Sequence, residues 1–220
     1  MTSAWNVSEM GGAVAALHGP LPSSPSGVAS AWPMAPTDAA VVLGSGQAAR
    51  VVDAAAAASR GLGICHRRSG GGLVVIDPAS CRWVDLHVPT GHPLWCGQVD
   101  VAFDWLGATW VRALAARGVE ASAHRGPILR RGAGRIVCFA GIARGEVHLA
   151  GRKLVGISQR RDRAGARFQC IVYSDFDVAR HLALLASPAD RDAVGAALTD
   201  SVATVAEPDA LVDAFLAALP

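Results

Sequence analysis

Three consecutive glycines stand between two apolar runs in Arg67-Arg68-Ser69-Gly70-Gly71-Gly72-Leu73-Val74-Val75-Ile76. Glycine in a row gives up side-chain burial and loses the most backbone entropy on folding, so the triplet must permit something other residues forbid. Ahead of it, Gly63-Ile64-Cys65-His66 reads as a short strand; behind it, Leu73 to Ile76 reads as another, turned by Asp77-Pro78. The triplet therefore joins strand to strand. A dinucleotide fingerprint or a phosphate-binding P-loop would need a helix directly after its glycines, so neither fits. What fits is a loop whose backbone N–H groups line a nest for negative oxygens, with arginine forks that match carboxylate or phosphate in two parallel bonds. The bland alternative is a hairpin turn with solvated arginines.

A second feature is compositional. The chain has nineteen arginines and one lysine, Lys153, in Gly151-Arg152-Lys153-Leu154-Val155-Gly156-Ile157-Ser158-Gln159-Arg160-Arg161. A coding bias toward arginine explains why lysine is scarce and leaves the survivor unexplained. An ammonium is a compact point charge, useful where one small donor must reach several oxygens. The alternative is a leftover surface lysine.

Together the two stretches, with Asp77 after the first, resemble the signature motifs of the lipoate-protein ligase A and octanoyltransferase family, and the resemblance runs from about Val41 to Leu185. It implies an α+β fold: a single domain with a mixed, mainly antiparallel β-sheet flanked by helices, as in biotin and lipoate ligases. It also implies that lipoate or octanoate is activated with ATP as an acyl-adenylate, Mg²⁺ being held through the phosphates, and then transferred to a lysine of a lipoyl domain. Lys153 would be catalytic. Arg67, Arg68, Ser69, Gly70, Gly71, Gly72, Asp77 and Gly156 would bind the acyl-adenylate, and Val42, Leu43, Leu73 and Val75 would wall the acyl pocket. The acceptors implied are lipoyl domains of 2-oxoacid dehydrogenase complexes or the glycine-cleavage H protein. Lys153→Arg is expected to leave folding intact, since a lysine just past a hairpin would carry little core packing.

The sequence departs from the family in two places. Many ligases have a His-Gly pair in the strand after the lysine motif, where this chain has Phe168-Gln169. About thirty-five residues follow Leu185, too few for the usual C-terminal accessory domain. A separate accessory protein is one answer. Another is an octanoyltransferase that takes its acyl group from acyl carrier protein, with Cys138 as the thiol nucleophile; a buried structural cysteine is the plain alternative. A non-catalytic binder of lipoyl or acyl ligand is the third.

The rest of the chain bounds the answer. Its 220 residues, 51% hydrophobic and 17% charged, suit one globular unit. A net charge of +2 gives no nucleic-acid footprint. No apolar run is of spanning length and the N-terminus lacks secretory blocks, which predicts a cytoplasmic protein with no membrane partner. The five cysteines lack paired spacing, so neither a disulfide framework nor a metal site is expected. Residues 1–37 read as an N-terminal segment with a Pro/Ser/Gly-rich linker at 19–27, residues 38–186 as the catalytic domain, and residues 187–220 as a helical extension packed on it. Strands are expected at 39–43, 63–66, 73–76, 82–88, 135–140, 146–150, 152–159 and 168–173. Helices are expected at 47–60, 99–116, 175–186, 190–199 and 208–219, with Asp85 and His87 facing the pocket or His87 purely structural.

Overall fold

The computed structural model describes residues 5–22 and 27–220. Its strands and helices follow in chain order. Residues Asn6–Val7 (β1), Met10–Gly12 (β2), Val14–Leu17 (α1) and Ser30–Pro36 (β3) come first, then Ala40–Leu43 (β4), Ala54–Ala58 (α2), Gly63–His66 (β5), Val74–Ile76 (β6) and Cys81–Pro89 (β7). Asp104–Ala116 (α3), Ser122–Ala123 (β8), Arg131–Ile136 (α4), Val147–Leu149 (β9), Arg152–Arg161 (β10) and Gly165–Tyr173 (β11) follow. Val178–Ala183 (α5), Pro188–Leu198 (α6) and Pro208–Ala217 (α7) close the chain.

One sheet runs β1-β3-β7-β11-β10-β9-β8, with β2 also on β3, and is antiparallel from β3 to β8. A smaller sheet runs β5-β4-β6, with β4 parallel to β5 and antiparallel to β6. The alternation of side chains in a strand sorts the large sheet into two cores. On β7 and β11, Trp83, Ile171 and Tyr173 face the small sheet, while Val84, Leu86, Phe168 and Val172 face α3 and α7. On that second face Trp110 stacks on Phe215 with ring centroids 3.9 Å apart.

Three expectations need correction. Residues 30–36, which fall in the N-terminal segment where no strand is expected, form a strand inside the large sheet. Its Pro33 cannot donate a ladder bond, and it falls in the gap where β1 ends (opposite Ala31) and β2 begins (opposite Met34). The alanine-rich stretch 47–60 is not one helix: it breaks at Val52-Asp53, where Asp53 caps α2 through a 3.0 Å bond from Ala56 N–H. Residues 135–140, expected as a strand, are instead the end of α4 and a 3-10 turn at Cys138–Ala140. Two glycines explain this. A Cβ on Gly134 would lie 2.7 Å from Gly141 Cα, so the segment folds back on itself in a way only glycine allows.

No helix among the described residues is long and apolar enough to cross a membrane.

Candidate active site

The glycine triplet closes onto the turn after α4. A Cβ on Gly72 would stand 2.6 Å from Gly134 O and 2.8 Å from Cys138 N, so backbone packs directly on backbone here. Leu73 N–H donates to Ile136 O and Cys138 N–H donates to Leu73 O, both at 2.9 Å. These two bonds bring Cys138 to the loop.

Lys153 reaches the same place from β10. The β9–β10 hairpin turns through Ala150 (φ 49°) and Gly151 (φ 78°), the left-handed pair of a tight two-residue turn. The ladder then shifts register between Lys153 and Val155. Such a bulge re-aims a side chain. It turns Lys153 toward the loop, on the same side as Gly156 and Ser158. The irregular backbone is satisfied from outside the hairpin: Lys153 N–H donates to Ser201 O at 2.7 Å, and Ala203 N–H donates to Lys153 O at 2.9 Å.

The amine is 1% exposed and ion-paired at 2.7 Å with Glu146, itself 2% exposed. It also donates to Cys138 O (3.0 Å) and Gly141 O (3.2 Å), and Nζ stands 3.6 Å from Cys138 Sγ. Burial works to lower its pKa, yet the nearby Cys138 and the Glu146 carboxylate outweigh it and hold the amine above its ordinary value.

Two cavities meet at this point. The larger, about 400 Å³, is lined by the glycine triplet, Lys153, Glu146 and two exposed arginines on α4, Arg131 and Arg135. The smaller is narrow and apolar, with room of about 30 Å³ among Val74, Ile76, Trp83, Gly156 and Ile171. Cys138, Ile157 and Ser158 belong to both.

Not every residue expected here lies here. Arg67 borders the narrow cavity but is buried and braces the loop, donating to Gly70 O (2.7 Å), Gly72 O (2.8 Å) and Val42 O (3.3 Å); its guanidinium is spent on backbone rather than aimed into the larger cavity. Arg68 points into a separate cleft with His87, Arg160 and Arg167. Asp77 lines neither cavity and pairs with Arg180 at 2.7 Å. On β6 it is Val74 and Ile76 that line the narrow cavity, whereas Leu73 and Val75 do not; Val42 and Leu43 are core residues of β4. Ser69 is buried and bonded to Ser158 (2.9 Å) and to Gln169 Oε1 (2.8 Å).

Glu146, Arg131 and Arg135 were not legible as site residues. Neither were His18 and Gln169, which wall the narrow cavity. Asp85 lies behind them, fully buried and ion-paired with Arg167, with Trp83 and Gln169 also donating to it. Burial pushes its carboxyl up to about 6 against the pull of Arg167. Arg167 in turn holds Leu17 O (2.8 Å) and Gly19 O (2.6 Å), which fixes His18 between them.

Gly156 sets the width of the apolar cavity. An added Cβ would lie 2.9 Å from the buried Phe139 ring and 3.3 Å from Ile171 Cγ2. Gly156→Ala is therefore expected to cost about 1–3 kcal/mol as an overpacked site. Thermal melts measure this, and an unchanged melting temperature would show that Phe139 yields freely.

The fold is shared with solved lipoate ligases. It superposes on the bi-partite lipoate protein ligase of Thermoplasma acidophilum, studied with its E2 lipoyl domain, with a TM-score of 0.69 at 16% identity, covering 87% of this chain and 69% of that one. A Thermoplasma acidophilum protein described as a lipoate protein ligase, with lipoic acid bound, gives 0.70 at 15% identity over 99% and 84%. A lipoate-protein ligase A bound with ATP gives 0.64 at 16% identity over 87% and 70%. A search of curated proteins by sequence returns no match. Residues 32–213 match the lipoyl protein ligase A/B catalytic domain, and on that extent the chain belongs to this family.

Proposed function

We propose that this chain activates lipoate or octanoate as an acyl-adenylate and passes the acyl group to a lysine of a lipoyl domain. The observation that carries this reading is the wall shared by the two cavities at Cys138, Ile157 and Ser158, with Lys153 Nζ beside it. An acid whose tail enters the apolar cavity brings its carboxylate to that wall. Each buried methylene contributes roughly 0.8 kcal/mol, and the tail must part the walls of so narrow a space. Phosphates in the larger cavity would meet the glycine-loop amides, Arg131 and Arg135, whose guanidinium groups are solvent-facing and four residues apart on one helical face.

In the first step a carboxylate oxygen attacks the α-phosphorus of ATP, the bond to the bridging oxygen breaks, and pyrophosphate leaves. Lys153 and the loop amides stabilise the charge on the acyl and phosphoryl oxygens. In the second step the acceptor's lysine amine attacks the acyl carbon and AMP departs. Mg²⁺ would be held through the phosphates, and no step is assigned to it. The natural acceptors are lipoyl domains of 2-oxoacid dehydrogenase complexes or glycine-cleavage H protein. The bi-partite description of the Thermoplasma acidophilum ligase supports an accessory chain as a further partner.

One observation favours a second reading. Cys138 Sγ lies 3.6 Å from a fixed cation at the same wall, the placement a thiol nucleophile needs. Its thiolate would attack the thioester of acyl carrier protein, the carrier thiol would leave, and the acyl group would wait on Cys138 for the acceptor lysine without ATP. Intact-mass spectrometry separates the two. With lipoate, ATP and Mg²⁺ the expected product is acyl-adenylate, retained in Cys138→Ala. A mass increase on Cys138 from octanoyl acyl carrier protein, lost in Cys138→Ala, moves the assignment to the transferase. Ligand bound with neither product leaves a binder.

A further inference from the structure

His18 stands at the end of the apolar cavity away from Cys138. The cavity crosses the large sheet from β10, where Cys138 and Phe139 cover Gly156, over Ile171 on β11, to Trp83 on β7; Gly156, Ile171 and Trp83 are consecutive partners in register. Two strand spacings are about 10 Å, comparable to an extended eight-carbon chain. At the β7 end His18 stacks on Trp83 with centroids 4.3 Å apart.

The hydrogen-bond network fixes which nitrogen of His18 carries its proton. Gln169 Oε1 accepts from Ser69, and Gln169 Nε2 donates to Asp85 Oδ2 at 3.4 Å, so the amide nitrogen faces His18 Nδ1 at 3.2 Å and Nδ1 is the acceptor. The ring is neutral, since burial and then the charges of Arg167 and Arg67 push its pKa down to about 3. The proton is therefore on Nε2, which is buried and bonds to nothing, in a residue that is 5% exposed. Arg67 Nε, on the same cavity, is likewise buried without an acceptor. An unpaired buried donor is costly, and a ligand carrying an acceptor at that depth relieves that cost.

We propose that His18 Nε2–H reads the far end of the acyl chain and makes the site select a chain bearing a sulfur acceptor there, the dithiolane of lipoate, over a plain octanoyl chain. This rests on the acyl-binding function proposed above. Disulfide sulfur, like thioether sulfur, is a weak acceptor, so the discrimination is modest, and an apolar wall would supply none of it. The clamp of Asp85 on Arg167, and of Arg167 on Leu17 O and Gly19 O, keeps the ring in register with the chain's end.

The test is calorimetric binding of free lipoate and free octanoate to the wild-type chain and to His18→Leu, which keeps apolar bulk and removes the donor. The expected result is that lipoate binds more tightly than octanoate to the wild type, and that the ratio of the two affinities falls about tenfold in the variant. Dithiolane bulk alone would leave the ratio unchanged, so an unchanged ratio overturns the proposal. So does a wild type that prefers octanoate or holds the two alike, a result that needs no variant to fold. If the folded wild type binds neither acid, the acyl-binding function fails and His18's part with it; binding of both in an unaltered ratio overturns only the latter.

Discussion

Lys153→Arg is expected to reduce acyl-adenylate formation by roughly 10²–10³, the loss typical of one misplaced transition-state donor. The amine sits in a closed ring of acceptors formed by Glu146, Cys138 O and Gly141 O, with the Phe139 ring 4.8 Å from Nζ. A planar guanidinium is too large for that ring and must displace part of it. The expectation that folding would be untouched does not survive the structure. Lys153→Ala leaves the buried Glu146 carboxylate unpaired, and stranding one member of such a pair costs about 3–5 kcal/mol. The control is Lys153→Met combined with Glu146→Gln, which removes both charges. Urea unfolding should then show stability largely regained while adenylate formation stays down. Recovery of activity along with stability would make the lysine a structural ion-pair partner only.

Acid is expected to unfold this protein sooner than its carboxylates alone would predict. His18 and His181 are buried and neutral, their pKa values pushed down by burial to about 3 and about 4. His148 is lowered to about 4 for the same reason, with His124 adding to it. The folded state refuses protons that the unfolded chain accepts below about 6.5, so this stability is whole above that pH and is lost as pH falls toward 4. Asp85 works the other way, because its carboxyl is raised to about 6 and folding favours its protonated form below that. At 1.36 kcal/mol per unit, His18 and His181 outweigh Asp85, leaving a net loss on the order of 4 kcal/mol between pH 7 and 4. Urea midpoints across that range measure it. His181→Phe, which keeps the stacking on Phe176 seen at 4.1 Å, should flatten the curve. A midpoint that holds steady or rises on acidification would contradict the assignment of neutral buried rings.

Much of this fold is written locally. The helix over α3 shows in the spacing of Trp110, Ala113 and Leu114, and the β9–β10 hairpin in Ala150-Gly151, because each signal lies within one turn of the element it specifies. The misreadings are of another kind. β3 carries Pro33 and Pro36, which argue against a strand unless the break between its outer neighbours is known. The choice between Leu73/Val75 and Val74/Ile76 is a one-residue question of register, and register is settled by β4 rather than by the apolar run itself. Glu146 looks like any surface glutamate until the hairpin brings it to Lys153, and His18 lies 151 residues from the glutamine that fixes its tautomer. The motifs named the loop and the lysine. They also named Arg67, but as an adenylate ligand, whereas its guanidinium braces the loop that it introduces.

The backbone of Lys153 is tied to Ser201 and Ala203, some fifty residues further along the chain. On a ribosome this distance is time. At about 5–20 residues per second, the hairpin carrying the lysine waits roughly 3–10 s before the segment that seats its bulge is even synthesised. Until then, the N–H and C=O that set the amine's aim have only water to bond, and the ring around Nζ cannot close. Lys153 is thus among the last of these residues to be put in place, seated only after a segment some fifty residues downstream has been made.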